Sequence, residues 1–407
     1  MALLKQILQT ALVISFVVLN SQAQTITVSS QAVDIESKEG LPFASVGLKS
    51  KPIGTITNLQ GNFDFHIPAE YRNDILVISM LGYENYEAPV WTLLNGQIPI
   101  LEMKKSSTIL KEVVISDSLS GGDILQIAIS RIEQNYPMKP YLMDGFYRDL
   151  KSVGGNYFSL LEAAIKVFDE DYLAPRNKFK LRERVSLLEV RRSLGYSSKF
   201  TAYFDEGNLL EDLLLHNNVK YRQFPEENIF YDHLKRGPDT YYNDEPVFLV
   251  YNERDYLLRV FVDKRNYGIV HIEYENSNES VMGKRKGLVS KFVKLKRVID
   301  FKNYDGKLYL NYLTVDSFIN WYDIKTNDMR FETILNQQLV INHVYVDTEE
   351  SVSTMSKMKS YGLQYQDMTY NAKFWADYNV IKESPLDKKI IEDLERPGSL
   401  EKQFKNQ

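Results

Sequence analysis

Five histidines, His66, His216, His233, His271 and His343, are the imidazoles this 407-residue chain offers for acid–base or metal chemistry. None stands in the His-x-x-Glu spacing of a zinc carboxypeptidase, nor in His-Glu-x-x-His, which sets two imidazoles on one helical face around a zinc ion. There is no Gly-x-Ser-x-Gly elbow and no glycine fingerprint for a dinucleotide. Carboxylates cluster at Asp169-Glu170-Asp171 and at Glu349-Glu350. A glycosidase holds two carboxyls about 5–10 Å apart across a cleft, whereas these runs read as exposed turns. Glu162 differs, because it lies inside the apolar stretch Leu160 to Val167. With Arg148 and Tyr147 on a neighbouring strand it makes either a buried ion pair or a ligand-holding group, and the ion pair is the preferred reading. No catalytic, cofactor-binding or metal-binding residue is assigned, and no cofactor is expected.

One basic concentration stands out: Lys284, Arg285 and Lys286, followed by Lys291, Lys294, Lys296 and Arg297. It suits anionic lipid headgroups or acidic glycans, or it is a solvated loop and strand face. The formal net charge of −5 gives no reason to expect nucleic acid as a partner.

The stretch Gly54 to Phe65, GTITNLQGNFDF, has the glycines of a phosphate or metal loop but not the rest. A phosphate loop needs Gly-Lys-Ser/Thr opening a helix. Here Gly61 leads into Asn62-Phe63-Asp64-Phe65-His66-Ile67, which alternates and puts Phe63, Phe65 and Ile67 on one face. A calcium loop needs several carboxylates at alternate positions, and Asn58 and Asp64 do not supply them. The reading is a structural turn: Gly61 takes a positive φ and Asn58 bonds its own backbone.

The elements around this turn are short strands, at Thr25–Val28, Phe43–Leu48 and Ile75–Met80, separated by Gly, Pro and Asn. They indicate a small β-sandwich of about 90 residues. Gly40-Leu41-Pro42-Phe43-Ala44-Ser45-Val46, then Gly54 to Phe63, then Ser79-Met80-Leu81-Gly82-Tyr83 resemble the carboxypeptidase-regulatory-like, transthyretin-like sandwich of secreted and outer-membrane proteins of Bacteroidota. The resemblance implies the accessory sandwich, not a peptidase. Leu110-Lys111-Glu112-Val113-Val114-Ile115-Ser116 is similar to the stretch that leads from this sandwich into the plug of TonB-dependent receptors. A plug and a barrel of about 22 strands need several hundred residues, and fewer than 300 follow. The segment is therefore an edge strand or linker. Glu112 and Val114 are its candidate partner contacts, by addition to another protein's sheet edge.

The first 23 residues read as a secretory signal: Lys5, an apolar run from Ile7 to Leu19, and Ser21-Gln22-Ala23 before the cut. The chain has no cysteine, so neither disulfides nor a cysteine-linked lipid anchor is expected. The expected location is the periplasm or the outer-membrane surface.

The remainder, 123–407, follows a linker at 106–122. Asp123 can cap a helix whose stripe is Ile124, Leu125, Ala128 and Ile132, ended by Pro137. Asn135-Tyr136-Pro137 with Gly145-Phe146-Tyr147-Arg148 resembles a Bacteroidota family of uncharacterised proteins. Strands follow at 156–169 (with a helical piece at Leu160–Ala164), 246–251, 256–262, 268–275, 289–301, 307–315 and 331–346, and Leu209–Leu215 is a short helix. Arg259 to Glu273 is similar to the strand-turn-strand unit of the periplasmic lipoprotein-carrier fold. Trp375 is a packing plug, Ser384-Pro385 starts a helix with stripe Ile390, Ile391 and Leu394, and Leu400 and Phe404 dock one further turn.

The fold expected is thus mainly β: a transthyretin-like sandwich at 24–105, then a larger antiparallel curved sheet or half-barrel with flanking helices. The function expected is a non-enzymatic accessory or binding protein of the cell envelope, with an envelope or outer-membrane protein as partner. The alternatives are a carrier of lipid or another hydrophobic ligand in the curved sheet, and an unrecognised hydrolase.

Overall fold

A computed structural model of the chain describes residues 24–94, 99–106, 119–197, 199–204, 207–353, 362–366, 368–382 and 388–406. The signal segment 1–23, the 110–116 segment with Glu112 and Val114, and Ser384-Pro385 lie outside the described residues.

Seven strands build the sandwich. β1 (Thr25–Asp34), β4 (Asn62–Pro68) and β7 (Ile100–Met103) make one sheet; β2 (Ser45–Leu48), β3 (Gly54–Ile56), β5 (Ile75–Ser79) and β6 (Tyr86–Pro89) make the other. Between them Phe63, Phe65 and Ile67 are buried, while Asp64 and His66 face outward, as period-2 alternation demands. The turn at 57–61 carries the chain from one sheet to the other. Asn58 Oδ1 accepts from the backbone N–H of Gln60 at 3.0 Å and of Asn62 at 2.9 Å. Gly61 has φ +77°, and a Cβ there would stand 2.1 Å from the carbonyl oxygen of Ala32. Gly61 thus bends the backbone as expected, whereas Gly54 does not: it opens the extended strand β3, where a Cβ would stand 2.7 Å from the carbonyl oxygen of Val46.

The larger part is one antiparallel sheet of twelve strands: β8 (Tyr141–Val153), β9 (Asn156–Asp169), β10 (Arg184–Arg192), β11 (Lys235–Arg236), β12 (Thr240–Tyr242), β13 (Glu245–Asn252), β14 (Leu257–Asp263), β15 (Ile269–Asn276), β16 (Ser280–Arg285), β17 (Leu288–Tyr304), β18 (Lys307–Asp323) and β19 (Met329–Tyr345). Its order is β10-β9-β8-β19-β18-β17-β15-β14-β13-β11, with β12 on β13 and β16 on β17. The curved sheet or half-barrel is therefore corrected: the sheet is open and does not curl on itself, and its end strands β10 and β11 do not pair. A run of hairpins determines strand order, but closure depends on edge strands meeting. Here those edges are the two ends of a ten-strand path, and both faces are already covered. The helical piece at Leu160–Ala164 is also corrected, since β9 runs unbroken through it.

One face is covered by helices α1 (Gly121–Ser130), α2 (Ile132–Asn135), α3 (Leu209–Leu215), α4 (Asn218–Tyr221) and α5 (Asn228–Asp232). Ser120 caps α1, bonding reciprocally with Asp123, which is the third helical residue rather than the cap. Ile124, Leu125, Ala128, Leu210 and Leu213 join Tyr147, Leu161, Val260, Ile299 and Leu339 in the main core. The other face carries the sandwich and α6 (Ala372–Asp377), α7 (Lys388–Leu394) and α8 (Leu400–Lys405). Among the described residues no helix is long and apolar enough to cross a membrane.

The Asp169-Glu170-Asp171 run is not the exposed turn expected. Asp169 ends β9 inside the core, where Lys220 Nζ of α4 bonds both its oxygens at 2.6 Å and Tyr141 Oη donates to it at 2.6 Å. Asp171 pairs with Arg182 at 2.5 Å, and Glu170 remains exposed. A charge buried this far survives only with its partner. Lys220→Met leaves the Asp169 carboxylate without its counter-ion. We expect a loss of about 3–5 kcal/mol, read as a lower urea midpoint at neutral pH.

Candidate functional site

Strand pairing assembles the site across β8, β9, β10, β18 and β19. On the face opposite the main core, Arg148 stands beside Glu162 and Gln338, Glu162 beside Arg191, Leu150 beside Leu160 and Asn336, and Asn336 beside Asp316. Alternation sends Tyr147 to the other face, so it is not a partner of Glu162. There Tyr147 Oη receives a hydrogen bond from Gln337 Nε2 at 3.1 Å.

Glu162 is 1% exposed and is held from both sides. Arg148 Nε donates to Oε1 at 2.7 Å, and Arg191 Nε donates to Oε2 at 2.6 Å. Burial pushes the carboxyl up, but Arg191 and Arg148 outweigh it and hold the pKa below the usual range. The ion pair preferred from sequence is thus present, with Arg191 as the member the sequence did not reveal. Arg148 Nη2 also donates to the carbonyl of Ile381 at 3.0 Å, and Arg191 lies 4.4 Å over the ring of Trp375. Trp375 packs edge-on to Phe146, the plug expected.

Above this row lies a chamber of about 240 Å³. Its floor is Arg148, Leu150, Leu160, Asp316, Asn336 and Gln338 of the sheet. The sandwich turn contributes Phe43, Asn58 and Leu59, and the C-terminal segment contributes Ile381, Ile390, Ile391 and Leu394. The stripe of α7 therefore lines a cavity as well as packing. Asn58 Nδ2 donates to the carbonyl of Lys382 at 3.0 Å, and Lys382 pairs with Asp64 at 2.7 Å, closing sandwich against tail. Asn336 Nδ2 donates to Asp316 Oδ1 at 2.9 Å, and burial raises the Asp316 pKa. The chamber offers apolar walls and one polar strip of amide and carboxyl groups.

The basic residues singled out from sequence lie elsewhere. Lys284 and Arg285 are on β16 and Lys286 in the turn after it, all exposed. Arg285 Nη1 donates to the carbonyls of Ala202 and Phe204, a structural strut. Lys291 pairs with Glu279, and Lys294 and Lys296 with Glu275. Arg297 turns inward beside His216, where burial lowers its pKa to about 10.

His271 is sealed in the sheet between Phe261 and Tyr312, with Nδ1 2.8 Å from Asp300 and Nε2 3.6 Å from Glu273. Asp300 also accepts from Tyr242 and Asn311. Among the described residues no group of three or more His, Asp or Glu is placed to hold a metal.

Two predictions follow from these charges. Glu162→Gln strands two guanidiniums under the tail, and a loss of about 3–5 kcal/mol is expected, measured by urea unfolding. For His271, burial lowers the pKa, but its bonds to Asp300 and Glu273 raise it further, to about 9 from an ordinary 6.5. The folded value exceeds the unfolded one. The stability this adds is full below pH 6.5 and fades as pH rises through about 9. The difference in urea midpoint between wild type and His271→Gln should shrink over that window.

A stretch of 100 residues is 34% identical to the TonB-dependent receptor SusC of Bacteroides thetaiotaomicron, covering 25% of this chain and 9% of the receptor. The chain thus spans about a tenth of the length of that curated relative. Among solved structures, a DUF1329 family protein from Desulfovibrio piger aligns with 58% of this chain and 98% of its own at 10% identity and a TM-score of 0.26. A LolA superfamily protein from Nitrosomonas europaea aligns with 60% of this chain and 99% of its own at 11% identity and a TM-score of 0.20. Residues 28–115 match the family described as the CarboxypepD_reg-like domain, so the N-terminal sandwich is a carboxypeptidase-regulatory-like, transthyretin-like domain, joined here to a larger β-domain outside that match.

Proposed function

We propose that this chain is a non-catalytic binding protein of the bacterial cell envelope, and that it holds a small amphipathic ligand in the chamber between sandwich, sheet and C-terminal tail. The observation that carries this reading is the chamber itself: about 240 Å³, walled by Phe43, Leu59, Leu150, Leu160 and the α7 isoleucines, with Asp316, Asn336 and Gln338 along one strip. Ligand sites favour such junctions, apolar with a few placed polar groups. The volume exceeds the ~150 Å³ that admits a benzene and falls below the ~300–1,000 Å³ of drug-sized sites. It suits one short alkyl chain or one ring rather than a two-tailed lipid. The raised pKa of Asp316 favours a hydroxyl or amide group there over a carboxylate.

Export to the periplasm or outer-membrane surface is part of the proposal. It is supported by the signal-like first 23 residues and by the similarity of a 100-residue stretch to a segment of a TonB-dependent receptor. That similarity also supports a second reading, in which the sandwich and the 110–116 segment, with Glu112 and Val114, engage an envelope protein.

Leu150→Trp and Ile391→Trp each fill the chamber from a different wall. Direct uptake of medium-chain alcohols, followed by titration calorimetry, should be saturable in wild type and weakened at least about tenfold in both variants. Wild type that takes up no alcohol, or variants that bind as wild type does, would remove the proposal.

A further inference from the structure

The three longest strands, β17, β18 and β19, end together at one pole of the sheet, beyond the reach of β13 and β14. There the turn at Lys286-Gly287 meets the β18–β19 turn, with the backbone N–H of Ile324 donating to the carbonyl of Gly287 at 3.2 Å. Two hairpin ends thus form one projecting rim. Four large apolar side chains stand out from it into solvent: Val281 at 67% exposure, Met282 at 59%, Ile324 at 46% and Met329 at 52%. A register shift between Val281 and Gly283 marks a bulge, which re-aims the side chains of this edge strand.

The same rim is positively charged. Residues 279–291 and 323–330 carry six cations and three carboxylates, in a chain whose formal net charge is −5. Two of those carboxylates already have partners, Glu279 with Lys291 and Asp323 with Arg330. Lys284, Lys286 and Lys325 are exposed and enter no ion pair among the described residues. Lys286 lies only loosely over the Tyr203 ring, at 5.7 Å.

We propose that this rim docks on an anionic lipid bilayer, with Val281, Met282, Ile324 and Met329 entering the headgroup region and Lys284, Lys286 and Lys325 contacting lipid phosphates. Apolar side chains beside exposed lysines match the chemistry of such an interface, which gains from each side chain separately. A protein partner of opposite charge would need about 800 Å² of complementary surface per side, and the apolar residues here stand at strand ends and a turn rather than across a broad face. The rim is also the place where solvated lysines at a sheet edge have a further use beyond blocking strand addition.

The test is co-sedimentation of the full chain with vesicles of phosphatidylethanolamine and phosphatidylglycerol, compared with vesicles of phosphatidylcholine alone. All variants keep the same N-terminus, so residues 1–23 contribute equally. Binding to the anionic vesicles should fall about tenfold or more in the double variant Lys284→Gln with Lys286→Gln. It should fall again in Val281→Ser with Met282→Ser, and weaken as salt rises. The pair Lys178→Gln with Lys180→Gln, in the loop at the opposite pole, should bind as wild type does. Equal binding to neutral vesicles, no binding to anionic ones, or undiminished binding by both rim variants overturns the proposal. So does capture of an acidic protein through these residues without any vesicle binding. Leu150→Trp should leave vesicle binding intact, so failure of the chamber and failure of the rim are read separately.

Discussion

A carboxylate sealed from water between two guanidiniums is the contact on which the second layer of this protein depends. Glu162 sits in the middle of three adjacent strands, with Arg148 and Arg191 to either side. An apolar residue there would give a smoother sheet face at no loss of packing. The charged trio instead ties the sheet to elements distant in sequence. Arg148 reaches the backbone of Ile381, and Arg191 lies under Trp375 and near Phe404. Both contacts fall on the C-terminal tail. The tail in turn holds the sandwich through Asn58, Asp64 and His66. The chain's first and last parts are thus locked onto one sheet face by a single buried charge centre.

This arrangement changes what a large antiparallel sheet can do. A curved sheet makes a container from its concave side. Here that role is closed, because one face is filled by the side chains of α1 and α3 and the other is roofed by two separate bodies. The chamber lies where the two bodies meet on the sheet. The turn that begins as a pattern of glycines therefore acquires a second duty. Its backbone geometry is local, but Asn58 and Leu59 at its apex help wall the chamber.

What could be read from sequence was what depends on neighbours in the chain. The 57–61 turn, the hairpin turns and the α1 stripe follow from φ preferences, side-chain-to-backbone bonds and periodicity, all within a few residues. What depends on distant pairing was hidden. β9 is covered on both faces, so Leu160 to Ala164 lacks the polar alternation of a half-buried strand and reads equally as helix. Asp169 stands in a run of acids that looks solvated, until Lys220, 51 residues away, enters the core to meet it. Arg191 became a partner of Glu162 only through the β9–β10 register. Of the chamber, the α7 stripe was legible, as was the buried position of Glu162 beneath it. Asp316, Asn336 and Gln338 were not, since nothing in their local sequence separates a cavity-facing strand residue from a solvated one.

The chamber and the rim are separated along the same strand. Asp316 of β18 lies in the chamber floor, and Asp323 closes that strand at the rim, seven residues on. At about 3.3 Å per residue this is roughly 23 Å. A molecule seated in the chamber touches sandwich, sheet and tail together, so its binding energy adds to the clamp that Glu162 sets up. A charge placed at the rim, by contrast, faces solvent and is screened over about 8 Å at physiological salt. The strand joins the two places without coupling their electrostatics. Occupancy of one can therefore reach the other only by moving the sheet itself, and a sheet packed on both faces around a buried ion trio resists such movement.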